Sequence, residues 1–264
     1  MSQAGLRRLF FALMAVVMAA PLIVVIGVSL NEKKSLTFPP QGISFSWYFD
    51  IFRDPDWFNA LSNSVMIALA SALLALAIAF PLAWYVWRYR SRWAKMIVAL
   101  GLIPFLLPPV ITALGLLAFW IETGAYGQPW TIVLSHAILL VSLPLFSLTL
   151  GFSRLDPSLS EAAATMGADE RTVTMTVILP LIRPYAISSF AFTFVASLNE
   201  YIVAFMTVGP VLETLPMKIF NALRYGYTPV MAAASVFFVV VTVTQLALIA
   251  RFGDLPKLLG ADRK

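Results

Sequence analysis

Apolar residues fall in six long runs separated by short polar stretches. Arg7 and Arg8 precede the first run, Leu9 to Leu30. That run could be read as a signal peptide, with Ala19-Ala20 as its small-residue site. At 22 residues it exceeds a signal core and is long enough to cross a bilayer, so it is expected to be an uncleaved span. The segment from Asn31 to Asn59, with Pro39-Pro40, Trp47, Tyr48, Trp57 and Phe58, suits a loop at the outer interface, where aromatic rings prefer to sit. Spans are expected at about 60–87, 95–121, 130–152, 185–208 and 230–250. The second is rich in Ala and Ser, which lets helices pack closely in lipid, and Pro81 is expected to kink it. The third carries Pro104, Pro108 and Pro109, so its helical hydrogen bonding must be broken. It is either a kinked helix lining a pathway or a kink that only shapes packing.

Composition agrees with this pattern. Apolar residues make up 60% and charged residues 12% of the 264. In soluble domains about a quarter of the residues are charged. The fold expected is all-α and polytopic, one transmembrane domain of about six helices. With no cysteine, disulfides and thiolate metal sites are excluded.

One polar stretch in the second half organises the rest: Leu155 to Pro184, LDPSLSEAAATMGADERTVTMTVILPLIRP. Asp156 before Pro157 reads as a helix start, because Asp caps orphan amides and Pro suits the first turn. Leu159, Ala162, Ala163 and Met166 share a face, and Gly167 supplies the stop. Asp169 can cap a second short helix through about Ile178, which Pro180 and Pro184 are expected to end. The stripe of small residues would let another protein's backbone come close.

Glu161-Ala162-Ala163, then Gly167, then Val177, Leu179 and Pro180 match the pattern EAA, three residues, G, nine residues, I, one residue, LP. Val177 stands where the pattern has Ile. In this the chain resembles the permease subunits of importer-type ABC transporters, in which this cytoplasmic loop docks onto a separate ATPase. The resemblance implies an ATPase-docking role for Glu161, Ala162, Ala163, Gly167, Val177, Leu179 and Pro180, within a cytoplasmic loop over 154–183.

The basic residues give an orientation. With both termini in the cytoplasm, 13 Lys and Arg fall inside (Arg7, Arg8, Arg88, Arg90, Arg92, Lys95, Arg154, Arg171, Arg183, Arg251, Lys257, Arg263, Lys264) and 5 outside (Lys33, Lys34, Arg53, Lys218, Arg224). The net charge of +5 therefore marks a membrane face and not a nucleic-acid partner.

The inventory of chemistry is mostly negative. There is no Gly-Lys dipeptide, so no phosphate-cradling loop of the Walker type. His136 is the only histidine, which excludes paired-His metal motifs and leaves it as a packing or hydrogen-bonding residue. No nucleophile elbow occurs. No catalytic residue, cofactor site or metal site is expected. Asn199, Glu200 and Tyr201 interrupt the fifth apolar run, and a buried ionisable group there marks either a substrate pathway or a pairing with a neighbouring subunit. A carboxylate there would suit an amine-bearing cargo. Asn63 and Ser64 in the second span serve close packing or substrate contact.

The stretches PPQGISFSWYFDIFRDPDWFNALSNS and SLNEYIVAFMTVGPVLETLPMKIFNALRYGYTP extend the resemblance to the spermidine/putrescine-type importers over nearly the whole chain. Asn199 departs from the acidic pair that polyamine permeases often carry. The resemblance implies a type I importer fold in the bacterial inner membrane. It also implies an ATPase dimer that binds the ATP, a second permease chain of related but different sequence, and a periplasmic solute-binding protein. The alternative is a stand-alone secondary transporter or channel. That would call for an inverted repeat or several buried ion-coupling residues, and neither is evident.

Overall fold

The computed structural model describes residues 3–89, 91–226 and 228–252. Arg90, Lys257, Arg263 and Lys264, counted above for orientation, lie outside the described residues. The described chain is built of helices and falls into two compact units, the residues up to Leu61 with Met217–Val243, and Ser62–Pro216 with the chain from Thr244.

In the first unit, α1 (Gln3–Ser29) is apolar from Leu9 onward, and none of its most apolar window is buried. An apolar helix with no buried face needs a hydrocarbon surround. The loop after it folds around Asn31, which is fully buried. The Asn31 amide donates to the carbonyls of Ser35 and Thr37, its oxygen accepts from Gln41 N–H at 3.0 Å, and its backbone carbonyl accepts from Trp47 Nε1 at 2.6 Å. A loop that pairs its own polar groups in this way keeps one shape. The short helix α2 (Ser46–Arg53) follows, with Ile51 buried and Phe52 edge-on to Phe237 at 5.9 Å. Asp54 then caps α3 (Pro55–Tyr89) by accepting from Asp56 N–H at 2.8 Å. The helix therefore starts at Pro55, five residues before the limit expected from hydropathy, because the cap and the proline fix its first turn.

In the second unit, α3 presents Ala68, Ala72, Ala75, Ala79 and Ala83 along one stripe, each essentially without exposed surface. Alanine at helical spacing lets α6 (Pro129–Leu140) and α7 (Ser142–Ser153) approach closely, and Ser71 Oγ donates to the Val133 carbonyl at 3.1 Å. Leu145, Leu148, Phe152, Ile178 and Ile182 complete this core. The third apolar run is two helices, α4 (Arg92–Leu106) and α5 (Pro109–Glu122), turned 108° at Leu107–Pro108. Pro109 opens α5, where its missing N–H costs nothing. The fourth run bends 43° between α6 and α7.

The loop at 154–183 gives α8 (Pro157–Thr165) and α9 (Glu170–Val173). The expectation that Pro180 and Pro184 end the second helix is corrected. A π-turn over Thr174–Ile178 joins α9 directly to α10 (Leu179–Leu198), so Glu170–Leu198 is one apolar helix and Pro180 and Pro184 lie within it. Leu179 N–H bonds to the Thr174 carbonyl, five residues back, so the ladder is widened just before Pro180 and its ring is accommodated. The fifth apolar run accordingly starts well before Tyr185, and it is interrupted after Leu198. The interruption precedes α11 (Ile202–Val208), after which α12 (Leu215–Tyr225) and α13 (Pro229–Phe252) follow.

Candidate functional site

Local hydrogen bonds fix the start of α8 and the turn that leads into α9. Asp156 accepts from Ser158 N–H at 2.9 Å and Asp169 from Thr172 N–H at 3.1 Å. The Ser158 amide and hydroxyl hold the Asp156 carboxyl below its ordinary pKa, and the Thr172 hydroxyl and amide do the same for Asp169. At the other end of α8, Ala168 N–H reaches the Ala163 carbonyl at 3.1 Å and Gly167 N–H the Ala164 carbonyl at 3.0 Å. These are the paired bonds of a Schellman stop, and Gly167 takes the left-handed conformation the motif needs, φ +85°.

The side chains of the EAA stretch divide between two faces. Glu161 and Ala162 are exposed, as are Leu159 and Met166. Ala163, 8% exposed, turns inward onto the core formed by Phe152, Val173 and Ile182. Of the two alanines, only Ala162 is open to another protein. Val177 is half-buried in the π-turn, while Leu179 and Pro180 are exposed. Beside α8 lies a groove of about 270 Å³ lined by Trp84, Trp87, Arg88, Glu161, Ala164 and Glu170. Arg88 Nη2 stands 3.0 Å from Glu170 Oε1, tying the end of α3 to α9. Both partners are exposed, so the pair contributes at most about 1 kcal/mol. Sequence reasoning missed this pair, since 82 residues separate its members.

The second polar feature is the break between α10 and α11. Asn199 ends α10, exposed, with its amide donating to the Val195 carbonyl at 2.8 Å. Glu200 folds back on α11. Oε1 accepts from Val203 N–H and Oε2 from Ala204 N–H, each at 2.9 Å, satisfying two orphan amides of the new helix. His136 Nε2 lies 3.1 Å from the same Oε2, and His136 Nδ1 lies 2.8 Å from Ser197 Oγ. His136 has no exposed side-chain surface and Glu200 only 9%. Tyr201 stacks on Phe205 at 5.7 Å. Asn63 and Ser64 lie elsewhere. Asn63 Nδ2 donates to the Glu213 carbonyl at 3.0 Å, and Ser64 Oγ accepts from Leu215 N–H at 2.8 Å, so both hold the start of α12. Among the described residues no group of three metal-ligating side chains occurs.

Residues 75–253 match the family model described as binding-protein-dependent transport system inner membrane component. The chain is 30% identical over 252 residues to the spermidine/putrescine transport system permease protein PotC of Haemophilus influenzae, covering 94% of this chain and 96% of that protein. It is also 30% identical over 217 residues to the putrescine transport system permease protein PotI of Escherichia coli K12, covering 80% and 77%. Among solved structures, a bacterial ABC transporter involved in the import of the acidic polysaccharide alginate aligns with a TM-score of 0.67 at 14% identity over 94% of each chain.

Proposed function

Because the chain belongs to the family of binding-protein-dependent transport system inner membrane components, we propose that it is one of two permease subunits of an ATP-driven importer for a small amine-bearing solute. The chain itself binds no cofactor and catalyses no reaction. An ATPase dimer binds and hydrolyses the ATP, a related second permease completes the pathway, and a periplasmic binding protein delivers cargo. A polyamine such as putrescine or spermidine is the cargo supported by the two relatives. The observation that carries this reading is the capped α8 turn, with Glu161, Ala162 and Met166 exposed on a loop that Arg88 and Glu170 tie to α3. Glu161 pairs with a polar group of the ATPase, Ala162 permits close approach, and Gly167 sets the angle at which α8 enters. Val177, Leu179 and Pro180 carry the motion into α10, which the unbroken helix from Glu170 favours. The pathway passes the Asn199–Tyr201 break.

The test is uptake of labelled putrescine and spermidine by proteoliposomes that hold the permease pair, the ATPase and the binding protein. Accumulation is expected only with ATP inside the ATPase compartment. Gradient-driven uptake by this chain alone would establish the stand-alone alternative. Orientation is checked separately. Since the chain has no cysteine, Lys34→Cys gives a single exposed thiol. An impermeant reagent is expected to label it from the periplasmic side only, and labelling from the cytoplasmic side would reverse the topology.

A further inference from the structure

Glu200 is an acid with only 9% of its side chain exposed, held among groups of α6, α10 and α11. Its carboxylate accepts two hydrogen bonds, from the Val203 and Ala204 amides, and His136 Nε2 stands 3.1 Å from Oε2. A carboxylate offers about four acceptor positions; the two amides take two of them and the His136 ring stands against Oε2, which leaves little room for a cargo amine. His136 stands on α6, Ser197 closes α10, and Glu200 caps α11, so three elements meet at one imidazole. His136 Nδ1 pairs with the Ser197 hydroxyl at 2.8 Å while Nε2 faces the carboxylate, so each ring nitrogen is turned to a polar group. Ala113, Leu139, Leu140 and Val203 form the apolar cluster beside it. In such surroundings an unpaired charge costs far more than in water, so the three members hold one another in place.

We propose that His136 is a positioning residue of the pathway, clamping Ser197 and Glu200 so that the two halves of the broken helix are fixed against α6, and that Glu200 serves this clamp and not cargo contact. The proposal rests on the importer reading. Cargo then meets what the break leaves accessible, the Asn199 amide and the Tyr201–Phe205 rings, Phe205 being 45% exposed. A cation can lie against aromatic faces of that kind.

Two measurements on the full transporter test it. The first needs no cargo. Ala204→Cys places a thiol at a position with no exposed surface. A small membrane-permeant thiol reagent should modify it slowly in the otherwise unchanged chain and about tenfold faster when Glu200→Gln or His136→Leu opens the clamp. Equal rates overturn the clamp, whatever the protein carries. The second is uptake kinetics with putrescine and spermidine. Glu200→Gln and His136→Leu should each lower the maximal rate about tenfold, the scale of one lost charge-assisted bond, with KM changed by less than about twofold. The double variant should be no slower than either single one, because they break one unit. His136→Gln, which keeps a donor and an acceptor, should recover part of the rate. If Glu200→Gln instead raises KM, more for spermidine than for putrescine, Glu200 touches cargo and the proposal falls. If the unaltered complex takes up neither amine, the importer reading for these cargoes fails, and thiol labelling alone decides the clamp.

Discussion

Gly167→Val is expected to abolish uptake while leaving the protein inserted and folded. Gly167 sits at φ +85°, and a Cβ there would meet nothing within 4 Å. The cost is therefore conformational and not steric crowding. A non-glycine residue pays about 1–2 kcal/mol to enter the left-handed region, and a β-branched one is the least able to do so. That is too little to unfold a membrane helix bundle, but the strain is relieved by undoing the Schellman bonds from Gly167 and Ala168, which set how α8 projects. Asn, which tolerates the left-handed conformation, separates geometry from bulk. Gly167→Asn should retain uptake if the turn alone matters. Normal uptake and normal cargo-stimulated ATP hydrolysis in Gly167→Val would remove α8 from the docking assignment.

The largest effect on stability is expected from Gly151→Ala, at the crossing of α7 and α10. A Cβ at Gly151 would lie 2.7 Å from Tyr185 Cγ and 2.8 Å from Cδ2, and Tyr185 is further fixed by the hydrogen bond from Ser147 Oγ to its carbonyl, 3.2 Å. A ring packed face-on cannot step aside as the end of a long side chain can, so the helices must separate. Overpacking of this kind costs about 1–3 kcal/mol. The penalty is felt here because association between helices in lipid depends on close packing, lipid tails being as apolar as the side chains they replace. Thermal unfolding in detergent should show Gly151→Ala well below the unaltered protein and Gly151→Leu lower still. In the Tyr185→Ala background the cost of Gly151→Ala should largely vanish. Additive losses in the double variant would mean that the ring is not what excludes the methyl group.

What the sequence determined lies close together along the chain. The caps at Asp156 and Asp169 and the stop at Gly167 were legible because each depends on bonds spanning two to five residues, whose geometry any helix end shares. Hydropathy made the long apolar helices legible because it measures transfer into hydrocarbon, and three of the described helices are long and apolar enough to cross a membrane, up to six if each bent pair is one span. The break after Leu107 was foreshadowed by three prolines, although not its angle of 108°. Even the interruption at Asn199–Glu200 stood out, since an acid in an apolar run must find a partner.

Only the tertiary structure decided which partner. His136 and Glu200 are 64 positions apart, and Ser64 and Leu215 are 151 apart, so nothing local links them. It also decided that Ala163 faces inward while Ala162 faces out, and that the helix from Glu170 runs through Pro180 by way of a π-turn. In water, burial can be read from the alternation of polar and apolar residues. In lipid the exposed face is apolar too, so α1, with no buried residue in its apolar window, and α3, with a fully buried alanine stripe, show much the same hydropathy. Which face meets protein then depends on the close fit of small side chains against particular neighbours, and those neighbours exist only once the chain has folded.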